Sequence, residues 1–127
     1  MRELRFARLW QFGGFTLVTV FLLALLMPET RAPVTVGSYD KLAHLVGFFG
    51  LALWFAGVYR REYYVWVVLA LLAFGALTEY LQFAFTRSRS GDLVDFAADA
   101  IGIALAMVVA LLGADRWCAF IEKLWQK

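Results

Sequence analysis

Three short segments of this chain carry residues whose types and spacing can move protons or hold anions. They are Ser38-Tyr39-Asp40-Lys41-Leu42-Ala43-His44, then Glu79-Tyr80-Leu81-Gln82, then Arg89-Ser90-Gly91-Asp92-Leu93-Val94-Asp95 with Asp99 a turn further on. His44 is the one histidine in the chain and the side chain best suited to gain and lose a proton near neutrality. Paired with an acid it is the candidate base, and Glu79 is the candidate acid. Lys41 and Arg89 suit phosphate or carboxylate, the arginine bidentately. Asp40, Gln82, Asp95 and Asp99 complete the candidate binding set. No serine or cysteine adjoins His44 in sequence to mark a nucleophile; Ser88 and Ser90 reach it only through the fold. A metal site from His44, Asp95 and Asp99 is conceivable, but a single histidine outside any compact ligand motif is thin support for one. The sequence therefore names neither metal nor cofactor.

The elements that must position these groups are apolar. Of 127 residues, 63% are hydrophobic and 17% charged, with a mean hydropathy of +0.73. A soluble domain carries roughly 45–50% apolar residues even with glycine counted. This composition excludes a disordered chain, a disulfide scaffold and a nucleic-acid-binding module, and it argues against an ordinary water-soluble globule. The net charge of +2 implies no anionic partner by itself.

Four apolar runs stand out: Leu9–Met27, Leu42–Tyr59, Tyr63–Phe85 and Leu93–Ala114. Each approaches the roughly 20 residues needed to cross a hydrocarbon core. Runs in lipid must be helices or barrel strands, because backbone groups there must pair internally, and these runs are too long for strands. Pro28 and Pro33 end the first helix and extend the first connection, Pro28–Lys41. The Arg60–Glu62 connection is tight enough to make helices two and three an antiparallel hairpin, and Thr86–Asp92 forms the last. The N-terminal arginines before an apolar run superficially resemble a secretory signal. The run is long for one and no small-x-small cleavage site follows, so an uncleaved first span is expected.

Arg2, Arg5, Arg8, Arg60, Arg61, Arg116, Lys123 and Lys127 fall on one side, and Arg31, Lys41, Arg87 and Arg89 on the other. Eight against four places both termini in the cytoplasm. Trp10, Trp66, Trp117 and Trp125 then lie near the cytoplasmic interface. The tail repeats Trp117, Phe120, Ile121, Leu124 and Trp125 at helical intervals, as an interfacial anchor does. Cys118 cannot form an internal disulfide and reads as an apolar residue. The expected fold is an all-α integral membrane protein: a single domain over 1–127, a four-transmembrane-helix bundle, N-in/C-in, with a C-terminal amphipathic interfacial helix.

In that topology the three polar segments gather at the outer end. Asp40, His44 and Gly47 share a helix face; so do Gly75, Glu79, Gln82 and Thr86, and so do Asp92, Asp95, Asp99, Gly102 and Ala106. Each polar stripe continues inward as small residues, which let membrane helices approach closely, so the stripes are expected to face one another. Ionisable groups within spans are costly and mark functional sites by default. Structural roles compete: His44 as an interhelical donor, Asp40 and Asp92 as helix caps, Arg87 at phospholipid headgroups, or the whole cluster as a neutralised scaffold.

The order Asp40-Lys41-x-x-His44, Glu79-x-x-Gln82, Arg89-(x)5-Asp95-(x)3-Asp99-x-x-Gly102 resembles the VanZ-like membrane protein family over about half the chain. Asp99 departs from it, since the family often has asparagine there. The resemblance implies a small polytopic protein of the bacterial inner membrane. It also implies a link to resistance against the glycopeptide-type antibiotic teicoplanin, the setting of the founding member. Three function classes follow. The first is an outer-leaflet site that binds or modifies an anionic envelope molecule, a membrane lipid or a lipid-linked cell-wall precursor. The second is a non-catalytic accessory scaffold. The third is a proton-coupled carrier using Glu79, Asp95 and Asp99, which no inverted repeat or broken span supports.

Overall fold

The computed structural model describes residues 2–26, 38–85 and 93–127, and for 38–40 and 85 the backbone only. Among the described residues the chain is helical, with α1 at Ala7–Leu25, α2 at Ser38–Val58, α3 at Tyr64–Phe85, α4 at Leu93–Leu111 and α5 at Trp117–Trp125. Short 3₁₀ turns, Arg61–Tyr63 and Ala114–Arg116, lead into α3 and α5. Four of these helices are long and apolar enough to cross a membrane. Their outer faces carry large apolar side chains: Phe12 is 71% exposed, Phe83 72% and Leu93 85%.

Two boundaries differ from the sequence expectation by three residues or more. α2 begins at Ser38, so Asp40 and Lys41 belong to its first turn rather than to the connection before it. The first turn of a helix accommodates such residues, because its N–H groups are unpaired and favour acids nearby. α4 stops at Leu111 instead of running to Ala114. Gly113, at φ +122°, turns the chain through a conformation that side-chain-bearing residues avoid.

α2 packs most closely against α4, not against its hairpin partner α3. Gly102 makes this possible: a Cβ there would stand 2.4 Å from the Leu45 carbonyl oxygen and 3.1 Å from the Phe49 nitrogen, both on α2. Gly47, on the His44 side of α2, instead receives the Phe21 ring of α1. The small residue of the α2 stripe therefore faces α1, while His44 of the same stripe meets α3 and α4 as expected. The core between the helices is Phe48, Leu51, Ala52, Phe55, Leu71, Ile103 and Ala106, with neighbours.

The N-terminal end of α1 is tied down by the tail. The Glu122 carboxylate on α5 accepts the N–H groups of Arg5 (2.8 Å) and Phe6 (3.0 Å) and the indole N–H of Trp10 (2.8 Å). Trp10 is thus buried, within 6 Å of Trp54, Trp117 and Trp125 by ring centroid. Trp66 is exposed. α5 buries Cys118 and Glu122 against the bundle and leaves Phe120, Leu124 and Trp125 outward.

Candidate functional site

Helical rise sets the depth of each polar group. His44 lies six residues into α2 from Ser38, Glu79 six before the end of α3 at Phe85, and Asp99 six into α4 from Leu93. Each is about 9 Å along its axis from the same end of the bundle. Three helices thereby bring three ionisable side chains into one layer.

The contacts within that layer are close. His44 Nδ1 lies 2.7 Å from Asp99 Oδ1 and 3.8 Å from Glu79 Oε1. His44 and Asp99 have no solvent exposure, and the Glu79 side chain keeps 13%. With Asp99 ionised, Nδ1–H donates to the carboxylate. That bond orients the imidazole and leaves Nε2 as its basic nitrogen. The His44 ring lies nearly parallel to Phe48 at 6.4 Å, which fixes it from the core side.

Gly75 gives Asp99 its place. A Cβ on Gly75 would come within 2.9 Å of Asp99 Oδ2, so a larger residue on α3 would push the carboxylate away. One turn along α3, buried Thr78 turns its hydroxyl back to the Gly75 carbonyl at 2.8 Å and so leaves the layer to the charged groups.

The remaining sequence candidates lie nearer the helix ends. Gln82 is buried and its amide donates to the Leu25 carbonyl at 2.9 Å, at the C-terminal end of α1. Its position thus also fastens α1 to α3. Asp95 is buried in the first turn of α4, and Lys41 is half-buried in the first turn of α2. The Asp40 side chain, Arg87, Arg89, Asp92, Ser88, Ser90 and the prolines Pro28 and Pro33 lie outside the described residues.

A second polar cluster, which the sequence reading did not single out, occupies the opposite end. Asp115 accepts from Arg61 Nε at 2.9 Å and pairs with Arg2, while the Tyr64 hydroxyl lies 3.4 Å from it and donates to the Ala56 carbonyl at 3.1 Å. The Arg61 guanidinium holds the Asp115 carboxyl below its ordinary range against the cost of burial. Burial works against charge on Glu122 too, but the N–H groups of Phe6, Arg5 and Trp10 outweigh it and lower its pKa. Burial and the nearby Glu122 charge push Cys118 up to about 12. The signal for Glu122 was present: an acid one turn after Cys118, between Ile121 and Trp125, interrupts an apolar stripe. These groups join the chain ends to the α2–α3 turn and read as a structural lock.

No family model, curated protein or solved structure matches this chain. Its chemistry rests on its own geometry: an oriented imidazole between two carboxylates, fully enclosed except along Glu79.

Proposed function

We propose that this chain is a multi-pass protein of the bacterial cytoplasmic membrane, and that the His44–Glu79–Asp99 layer is the floor of an outer-leaflet site for an anionic envelope molecule. The molecule is a membrane lipid headgroup or a lipid-linked cell-wall precursor. The observation that carries this reading is the enclosed His44–Asp99 pair with the partly exposed Glu79 beside it, at the end of the bundle opposite the Arg2–Arg61–Asp115 cluster. The lysine and arginine distribution makes that end extracytoplasmic. Both termini are then cytoplasmic, and α5 lies at the inner interface with Phe120, Leu124 and Trp125 turned to the membrane.

In this reading Lys41, half-buried in the first turn of α2, takes the anion; the sequence pattern assigns Arg89 the same role and puts Asp40, Gln82 and Asp95 in the binding set. His44, oriented by Asp99, is the base for any proton transfer to the bound molecule, and Glu79 the acid. The resemblance of the three motifs to the VanZ-like family supports the envelope setting and extends the proposal to teicoplanin-type resistance.

The second reading, an accessory scaffold, is favoured by the Gln82–Leu25 bond, which gives one member of the polar set a fastening role. The two readings separate on stability. In a scaffold, removing one partner of a buried ion pair costs about 3–5 kcal/mol. His44→Gln and Glu79→Gln would then lose folded yield and melting temperature. In a functional site, groups are held at some cost to the fold. The same variants are then expected to accumulate and melt like the parent while losing binding of phosphatidylglycerol. Destabilisation by both would leave only the scaffold.

A further inference from the structure

The enclosed layer has the composition of a cation site as well as that of an acid–base pair. His44, Glu79 and Asp99 each offer a ligand atom, and these atoms all lie within 4.8 Å of one another. One nitrogen and two carboxylate oxygens form a mixed donor set, which suits zinc first and manganese second. Two ligands on one zinc ion stand about 3–3.4 Å apart at ordinary bond lengths of ~2.0–2.1 Å. The observed separations, 2.7 Å from His44 Nδ1 to Asp99 Oδ1 and 3.8 Å to Glu79 Oε1, bracket that span.

We propose that His44, Glu79 and Asp99 bind a single divalent cation, Zn²⁺ in preference to Mn²⁺, between α2, α3 and α4. Each ligand comes from a separate helix six residues from its end, so the donors are held by rigid elements rather than by a loop. Gly75 leaves the space in which the Asp99 carboxylate sits. A doubly charged ion among two carboxylates offsets both charges at once, which matters most where water is excluded. Three protein ligands leave one position of a tetrahedral ion open, and Glu79, the one ligand with solvent exposure, marks the side from which an ion enters. Cation binding needs only these three donors and does not rest on the envelope-ligand reading. With the ion bound, the three residues act as ligands rather than as proton carriers, and the open position would meet a phosphate or carboxylate.

The test uses the full chain purified in detergent, stripped with a chelator, and titrated with Zn²⁺ or Mn²⁺ alone. Melting temperature and bound metal are followed together. The expected result is saturation at one Zn²⁺ per chain with a rise of several degrees, and a smaller rise with Mn²⁺. Glu79→Gln should melt within about 2 °C of the stripped parent yet bind Zn²⁺ at least about tenfold more weakly. Asp99→Asn should do the same; should it fail to fold, Glu79→Gln and the bound-metal measurement decide. Glu62→Gln, exposed at the far end beside Arg60, should bind as the parent does. Absence of saturable binding would overturn the proposal, as would parental affinity in Glu79→Gln. Neither outcome bears on phosphatidylglycerol binding, which is measured separately in the presence of chelator.

Discussion

Asp99 reaches His44 across the α2–α4 seam at 2.7 Å, and it does so through space left by a glycine on a third helix. The pair is thus a product of three elements, although only two supply its atoms.

Replacing that glycine tests the dependence without touching either partner. Gly75→Ala puts a methyl group 2.9 Å from Asp99 Oδ2 and should cost about 1–3 kcal/mol through overpacking. Gly50→Ala is the control, because a Cβ there meets nothing within 4 Å, and it should be neutral or slightly stabilising. Proton NMR of the imidazole distinguishes displacement from general loosening. The downfield Nδ1–H resonance expected of a hydrogen bond to a carboxylate should weaken in Gly75→Ala and persist in Gly50→Ala.

Acid should loosen the opposite end of the bundle. The folded pKa values of Asp115 and Glu122 lie below their ordinary values of 3.8 and 4.5. Their contribution to stability is therefore complete above those ordinary values and lost as pH falls through the lower, folded ones. Melting temperature in detergent should fall below about pH 4.5, and Glu122→Gln should flatten part of that fall. At neutral pH the same variant should cost about 1.5–3 kcal/mol, since a neutral amide replaces a carboxylate accepting three N–H groups. A pH-independent melt in the parent would show that neither group is held as described.

The four long helices were legible because a hydrophobic run of spanning length leaves the backbone few alternatives. That His44, Glu79 and an acid of α4 gather toward one end of the bundle was legible too, since the three polar segments adjoin that end. Which acid stands against His44 was not. Asp95 and Asp99 share a face of α4, and the choice depends on how far α4 slides along α2, which Gly102 settles through its contact with the Leu45 carbonyl. The role of Gly47 was also out of reach, because a small residue shows that something approaches but not which helix does. The lock around Asp115 and Glu122 joins residues more than 100 positions apart, such as Arg2 and Asp115, and no local spacing reports such a pairing.

Sidedness can be measured in intact cells. After Cys118→Ala, cysteines at Ser38 and Ser90 should react with an impermeant thiol reagent, and a cysteine at Arg60 should not. Labelling at Arg60 instead would invert the topology. Cys118 itself, buried and with its pKa raised to about 12, should stay unmodified by maleimide at neutral pH until the protein is unfolded.

The central claim, that the His44–Glu79–Asp99 layer is the floor of a site for an anionic envelope molecule, is tested most directly by photo-crosslinking. Phosphatidylglycerol carrying a photoactivatable group on its headgroup would be incorporated with the full chain into bilayers, and the adducts mapped by mass spectrometry. The account predicts adducts concentrated on the first turn of α2 around Lys41 and the last turns of α3 around Glu79. They should be competed by unlabelled phosphatidylglycerol but not by phosphatidylcholine, and be reduced in Glu79→Gln. Adducts spread evenly over the apolar outer faces, or gathered at Arg60 and Arg61, would contradict it.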